Sequence, residues 1–354
     1  MDKIRLGIIG CGKMMKAHAV GIHKFAKELE ITALCDVNIE CAKDIASALD
    51  NKPYVTSDFT TMIDYIDAVL VVLPHDLHYE VGMFFALNGK HILMEKPLCN
   101  SEEECVRLVE TCEKNGVVLM CGYPVRFWPG VIKLKELVDS GEYGKIIQMS
   151  IWTEQYTRRE IDEKGVPHWG YTARLGGGQL FSHGCHYIDI LLWFLGKPVC
   201  GGHLGTTVGT EWLLREGTSA VIMKFESGAL GYHGATWGAR GTHLGYTFQI
   251  HTEKGMLEYD HHAGEVRQYT RQEIHTPGEV RKLQHVDVLW SREGEKTKNT
   301  EFEILHFADC IKNGKKPLTN GRDSIESLRV IWKMYDAEKH NTLADLSDIA
   351  DLSK

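Results

Sequence analysis

Ile4-Arg5-Leu6-Gly7-Ile8-Ile9-Gly10-Cys11-Gly12-Lys13-Met14-Met15 is the stretch from which the rest of the chain can be ordered. The apolar run Ile4 to Ile9 predicts a buried strand. It passes through Gly10 and Gly12 into a helical stretch that the sequence carries to about Leu29. Strand, glycine turn and helix in that order make an anion site. Gly10 permits the tight turn, Gly12 lets the backbone approach a pyrophosphate, and the helix N-terminus faces the negative charge. Met15 stands where the usual pattern has a third glycine, so two glycines alone are a weak signal and the flanking chain must supply the rest.

The chain beyond it does so. Ile31 to Cys35 reads as a second strand, and Asp36 at its end is placed to bind the ribose hydroxyls of a dinucleotide. Val37 and Asn38 follow, with no Arg to receive a 2′-phosphate, which favours NAD over NADP. Ala42–Leu49 reads as a helix, Asp67–Leu73 as an apolar strand, Tyr79–Asn88 as a helix closed by Gly89, and Lys90–Met94 as a strand. A helix capped by Ser101 with Glu104 ends near Asn115-Gly116, and Val117–Cys121 is another strand. This alternation is an α/β fold with a doubly wound parallel sheet, assigned to a dinucleotide-binding domain over residues 1–122. Ligands of such sheets bind beyond the carboxyl ends of the strands, where Gly10, Asp36, Pro74-His75-Asp76-Leu77-His78 and Glu95-Lys96-Pro97 all stand. Lys96 is thereby expected beside a bound nicotinamide, with Pro97 biasing it toward an extended backbone. An ammonium there could hold a substrate oxygen and stabilise charge developing on it.

After Gly122 the pattern changes. Val131–Ser140 reads as a helix, and from Lys145 onward strands follow strands. Ile146–Thr153 alternates, while 220–225 with 229–236 and 246–252 with 256–259 form hairpins around Ser227-Gly228 and Lys254-Gly255. Gly264–Asn299 is polar and reads as long hairpins or loops; His306–Asn313 and Ser324–Lys339 read as closing helices. The expectation is a second domain over 123–354, of α+β type with a large, mostly antiparallel, open sheet.

Within that domain, Gly176-Gly177-Gly178 runs into Ser182-His183-Gly184-Cys185-His186-Tyr187-Ile188-Asp189, and Ile188, Leu191, Leu192 and Leu195 share one helix face. Ser182 is the expected N-cap, which sets His183 and His186 in or beside the first turn. There the helix dipole would depress an imidazole pKa, which suits a general base. Gly196 and Pro198 end the helix. His183, Cys185 and His186 also raise the idea of a metal site, but no further ligand is identifiable and no metal is assigned.

The 354 residues are 43% hydrophobic and 25% charged, with a formal net charge of -8, an ordinary globular composition that argues against nucleic acid or an anionic membrane as partner. None of the ten cysteines forms a CxxC pair, and several lie in apolar runs, which suits buried reduced thiols and a cytoplasmic location. Leu6–Ile9 is too short for a signal-peptide core, and no stretch reaches membrane-span length.

Taken together, the turn at Gly10 and Gly12, Glu95-Lys96-Pro97, Gly122-Tyr123 with Arg126-Phe127 and Pro129, Gly176-Gly177-Gly178 leading to His186 and Asp189, and the closing stretch Phe307 to Leu328 resemble the Gfo/Idh/MocA oxidoreductase family over nearly the whole chain. The resemblance implies a Rossmann domain, a second α/β domain with an open sheet, and an NAD cofactor. It implies oxidation or reduction of a hydroxyl-bearing carbon on a sugar, glycoside or inositol. Lys96 is then the catalytic lysine and His186 the general acid/base. Gly10, Gly12, Lys13, Met14, Asp36, Pro74, His75, His78, Glu95 and Lys96 are implied to line the cofactor. Tyr123, Arg126, Trp169, Ser182, His183 and His186 are implied to line the substrate, with Trp152, Tyr156, Tyr171, Tyr232 and Trp237 as further rings for stacking on a sugar. Ser182 departs from the Asp that many members carry there. Trp169-Gly170 departs from Trp-Arg, leaving Arg174 as the nearby guanidinium. Two other readings are redox-neutral glycoside cleavage with transient oxidation by bound NAD, and a non-catalytic NAD-binding sensor. A homodimer or homotetramer, joined through the open sheet, is expected.

Overall fold

The computed structural model describes residues 3–15, 18, 22, 27–159, 168, 170, 172–293 and 300–353. The chain divides into two compact units: Met1–Phe127 with Ala173–Gly176 and Lys298–Leu328, and Trp128–Thr172 with Gly177–Thr297 and Arg329–Lys354.

The first unit is built on β1 (Ile4–Ile9), β2 (Leu29–Cys35), β3 (Tyr54–Thr56), β4 (Ala68–Val71), β5 (His91–Glu95) and β6 (Leu119–Gly122). All pair in parallel in the order β3-β2-β1-β4-β5-β6. That is the doubly wound dinucleotide-binding order, with its reversal between β1 and β4. Leu29 begins β2, so the helical stretch expected to reach it stops short; Leu29 and Ile31 both point into the core. The connecting helices are α1 (Ile39–Ser47), α2 (His78–Leu87) and α3 (Glu102–Lys114). Ser101 caps α3 as expected, accepting the Glu104 N–H at 3.3 Å, with Glu102, Glu103 and Glu104 in the first turn.

The sequence reading divides the chain at 122/123, whereas this unit also takes in the segment up to Leu328. The reason is packing. Ile304, Phe307 and Ala308 lie in one apolar cluster with Ile4, Leu6, Leu93 and Met120. Thr319 and Cys121 exchange two hydrogen bonds, Cys121 N–H to Thr319 O at 2.8 Å and Thr319 O–H to Cys121 O at 2.7 Å.

The second unit contains α4 (Pro129–Asp139), β7 (Ile146–Glu154), α5 (Cys185–Leu195), β8 (Pro198–Thr206), β9 (Thr218–Phe225), β10 (Leu230–Thr236), β11 (Tyr246–Thr252), β12 (Gly255–Asp260), β13 (Glu265–Thr276) and β14 (Glu279–Ser291). Of the remaining elements, α6 (Thr300–Asn313) belongs to the first unit, α7 (Gly321–Lys339) runs from the first into the second, and β15 (Ala344–Asp345) closes the edge of the second unit's sheet. The nine strands lie in the order β14-β13-β12-β11-β7-β10-β9-β8-β15, and only β7 with β10 is parallel. The polar stretch after Gly264 is one long hairpin, β13 with β14.

Pro198, expected only to stop a helix, opens β8; Gly201, Gly202 and Gly205 hide that strand from a hydrophobic pattern. On one face of the sheet α5 packs over β7 and β10, and α4 over β12 and β13. The opposite face, which carries Leu204, Ile222 and Leu230, is not covered by any helix among the described residues, and these side chains are 75%, 50% and 41% exposed. No helix among the described residues is long and apolar enough to cross a membrane.

Candidate active site

Two sets of residues stand out, one in each unit. The first lies at the carboxyl ends of β1, β2, β4 and β5. Gly10 has φ +90, and a Cβ there would come within 2.0 Å of Val72 O, so β1 and β4 approach as closely as backbone allows. At Gly12 the opposite holds: a Cβ would meet no protein atom within 4 Å. The protein does not require glycine at Gly12, whereas an anion lying against the turn would. Lys13 and Met14 are exposed in the first helical turn, and Met15, in the third-glycine place, is fully buried in the core. Asp36 accepts the Cys11 N–H at 2.7 Å and the Asn38 N–H at 2.8 Å, so its carboxylate stands against the glycine turn. Val37 is 93% exposed and no cation follows directly. The residues present fit a dinucleotide.

Glu95 and Lys96 end β5. The His18 Nε2 contacts Glu95 Oε1 at 2.7 Å, and the Lys96 N–H donates to Glu95 Oε2 at 3.2 Å. Burial alone would raise the Glu95 carboxyl, but the His18 hydrogen bond and the His18 and Lys96 charges overcome it and hold the group low. Glu303 of α6, 1% exposed, is pushed well up, by burial first and then by Glu95 and Glu301. The Lys96–Pro97 peptide is cis.

His75 is buried with Nδ1 2.9 Å from Leu175 O. Burial, then the His78 and Lys96 charges, pushes its pKa well down, so at neutral pH it is an uncharged imidazole beside the Lys96 charge. His78, expected on the cofactor, is fully buried and faces two backbone carbonyls, Pro97 O at 2.8 Å and Leu73 O at 3.0 Å. These contacts tie the segments after β4 and β5 together. Pro74 is half-buried at the start of the same turn. Arg174 pairs with Asp76 at 2.9 Å and 3.1 Å, so its guanidinium is committed within the first unit.

Tyr123 and Arg126, expected on the substrate, are 0% and 1% exposed. Arg126 donates Nη1–H to Leu318 O at 2.9 Å, tying the turn after β6 to the segment between α6 and α7. The local Gly122-Tyr123 and Arg126-Phe127 pattern signals a site but not whether its side chains point in or out.

The second set surrounds the start of α5. Ser182 is not the cap. A π turn over Leu180–Gly184 precedes α5 and is continuous with it, so Ser182 lies inside the helical run with its own N–H donated to Gly178 O at 3.0 Å. His186 therefore sits beyond the first turn, where the dipole has largely faded. The cap comes from elsewhere in the chain. Leu180 N–H donates to Glu216 Oε1 at 3.2 Å, and Gly178 and Phe181 N–H donate to the Tyr335 hydroxyl, each at 3.2 Å. Tyr335 in turn donates to Glu216 Oε1 at 2.5 Å. Neither residue carries a local sequence signal, and nor does His18; only the buried partner of each reveals it.

His183 is half-buried among rings: Tyr187, His186, Tyr246 and Trp237 at centroid distances of 5.3, 5.9, 6.0 and 6.4 Å. Gln179 Nε2–H points to His183 Nδ1 at 3.3 Å, and the Ser219 hydroxyl holds that amide by donating to Gln179 Oε1 at 2.7 Å. His186 is 7% exposed on the same turn. Trp152 and Tyr232, proposed for stacking, lie instead on the bare sheet face, 5.0 Å apart. Trp169 and Tyr171 lie outside the described residues. Among the described residues no three His, Cys, Asp or Glu side chains are grouped to hold a metal.

The comparisons with known proteins agree with this picture. The Gfo/Idh/MocA sequence model described as "Oxidoreductase family, NAD-binding Rossmann fold" matches residues 4–123, and the "GFO/IDH/MocA C-terminal domain" matches residues 131–258. The scyllo-inositol 2-dehydrogenase (NAD(+)) of Bacillus subtilis is 25% identical over 344 residues, 93% of this chain and 92% of that protein. The D-glucoside 3-dehydrogenase of Escherichia coli is 30% identical over 217 residues, 59% of each. Levoglucosan dehydrogenase in complex with NADH superposes with a TM-score of 0.84 at 21% identity, covering 98% of this chain and 99% of that one, a likeness of fold.

Proposed function

The chain belongs to the Gfo/Idh/MocA oxidoreductase family, and on that premise we propose that it is an NAD-dependent dehydrogenase acting on a secondary hydroxyl or ketone of a sugar, glycoside or inositol. What supports this reading most is the end of β5. A cationic Lys96 follows a carboxylate held charged by His18 and stands beside a neutral His75. NAD, where bound at the first glycine turn and Asp36, would supply the hydride acceptor for the carbinol carbon. His186 takes the hydroxyl proton as general base, so alcohol and NAD⁺ become ketone, NADH and one proton. Lys96 holds the same oxygen as negative charge grows on it. Asp36 receives the ribose hydroxyls and repels a 2′-phosphate. Trp237 and Tyr246, around His183, offer faces on which a sugar ring stacks.

The test is a panel of scyllo-inositol, myo-inositol, glucose and methyl β-D-glucoside with NAD, followed by NADH absorbance, with cofactor binding measured by fluorescence titration. NADH accumulates with at least one compound, and NADH binds more tightly than NADPH. Tighter NADPH binding would remove the role given to Asp36. Glycoside loss without NADH would replace net oxidation by redox-neutral cleavage.

The bare face of the second unit's sheet supports a further expectation. Leu204, Ile222 and Leu230 are exposed there, and among the described residues no helix packs on that side of the strands. We propose that a second copy covers it, in a dimer or tetramer. Light scattering should give at least twice the 40.0 kDa of one chain, and a monomer at micromolar concentration would refute it.

A further inference from the structure

We propose that Glu216 and Tyr335 are positioning residues that fix His183 and His186 by holding the π turn before α5 in register. The starting point is the accounting of backbone donors that every helix start imposes. Here Leu180 N–H goes to Glu216 Oε1, Gln179 N–H to Glu216 O at 2.7 Å, and Gly178 and Phe181 N–H to the Tyr335 hydroxyl. Tyr335 donates to Glu216, so its oxygen gives one hydrogen bond and accepts two, the full capacity of a phenol. Both side chains are more than nine-tenths buried. Burial first, and then Glu216, pushes the Tyr335 hydroxyl well up, which keeps it a donor at any physiological pH.

The arrangement is specific to this turn. Gly178 must be glycine because a Cβ there would lie 2.2 Å from the Glu216 carboxyl carbon. A π turn inserts a residue into the helical repeat, so everything before it is rotated relative to everything after it. His183 lies within the turn and His186 just beyond it, and their relative orientation depends on the turn persisting. Glu216 and Tyr335 act through the backbone N–H groups of the turn. A second line runs through Gln179, whose N–H is on Glu216 O and whose side chain reaches His183. Arg215, 5.5 Å over the Tyr335 ring, and His203, edge-on at 5.3 Å, complete the surroundings of the phenol.

The proposal rests on His183 and His186 belonging to the reaction, and its test separates the two. In the full chain labelled with ¹⁵N-histidine, the two rings are assigned with His183→Gln and His186→Gln and titrated by NMR. In Tyr335→Phe and Glu216→Gln, at least one of the two midpoints shifts by about 0.5 unit or more. NADH binding stays within about twofold of wild type, because neither residue is in the first unit. On the compound that reduces NAD, kcat falls about tenfold or more, with KM changed less. Unchanged midpoints and unchanged kcat in folded variants overturn the proposal. Shifted midpoints in a protein that oxidises no sugar or inositol uphold the positioning and overturn the dehydrogenase reading. Should Tyr335→Phe fail to fold, Glu216→Gln carries the test, since it keeps the side-chain size but exchanges one carboxylate oxygen for an NH2 donor and leaves a weaker acceptor for Leu180 N–H and the Tyr335 hydroxyl.

Discussion

The chain makes two glycine turns into helices, one after β1 and one before α5, and they are built in opposite ways. At the first turn the elements that matter are close to their sequence signals: an apolar strand, Gly10 against Val72 O, and Asp36 at the end of the next strand closing on Cys11 N–H. At the second, the donors of the turn are satisfied by Glu216 and Tyr335, the latter 157 residues from Gly178. At the first turn the N–H groups of Gly10 and Cys11 are held by its neighbours Cys35 and Asp36, whereas at the second those of Gly178, Leu180 and Phe181 are held by residues distant in sequence. On the proposed function the first turn is a cradle for the cofactor and the second a pedestal for His183 and His186.

The largest effect that separates them concerns the chemistry each supports. Lys96→Ala and His186→Gln should each lower kcat by roughly 100-fold to 10,000-fold with NADH binding retained. The double variant should be little worse than the worse single one, since groups acting on one hydroxyl are not additive. If His186→Gln turned over normally while His183→Gln did not, the base would be His183, the imidazole that Gln179 orients.

Next in size is the contrast between Gly10 and Gly12. Gly10→Ala forces a Cβ into Val72 O at a φ of +90, and should cost about 3 kcal/mol or more in urea denaturation. Gly12→Ala meets open space, so its stability change should stay within about 0.5 kcal/mol while NADH affinity drops about tenfold or more. Equal losses of stability in the two variants would mean that Gly12 is structural and the cradle is misassigned.

The same contrast explains what the sequence reveals. Parallel strands such as β1 and β4 are continuous apolar runs, and Ser101 caps α3 from the adjacent residue, so both are legible. The helical face of α5 is legible from its period, but its start is not. Ser182 looks like a cap because Ser is a common one, and nothing nearby tells that the position is already filled. β8 is masked by its glycines. Tyr123, Arg126 and His78 sit in motif positions yet point inward, because a segment that shapes a site also has to be anchored. Glu95 was legible, while its partner His18 was not, since a buried carboxylate demands a partner without saying from where.

The smallest effect concerns one buried imidazole in each unit. In the first, His78 faces two carbonyls, contacts that favour the protonated ring and partly offset burial. In the second, His233 has the Thr153 hydroxyl at 3.0 Å, lies stacked on Tyr187 at 5.0 Å, and is 3.4 Å from where a Cβ on Gly184 would stand. Burial, and then the His203 charge, lowers it from 6.5 to about 3. Between those two values the unfolded chain binds a proton that the folded chain refuses. Stability from this group is therefore whole above pH 6.5 and declines as the pH falls toward 3. At pH 5 the loss is 1.5 pH units' worth, about 2 kcal/mol at roughly 1.36 kcal/mol per unit. His233→Phe keeps the stack on Tyr187 and removes the titration, at some fixed cost for the Thr153 hydroxyl. Urea denaturation should then show the variant less stable than wild type at pH 7.5 by that fixed cost, and the difference between pH 7.5 and pH 5 smaller than in wild type by about 2 kcal/mol. A difference of wild-type size in the variant would place the acid sensitivity elsewhere, with the buried His75 and His78 of the first unit as the next groups to remove.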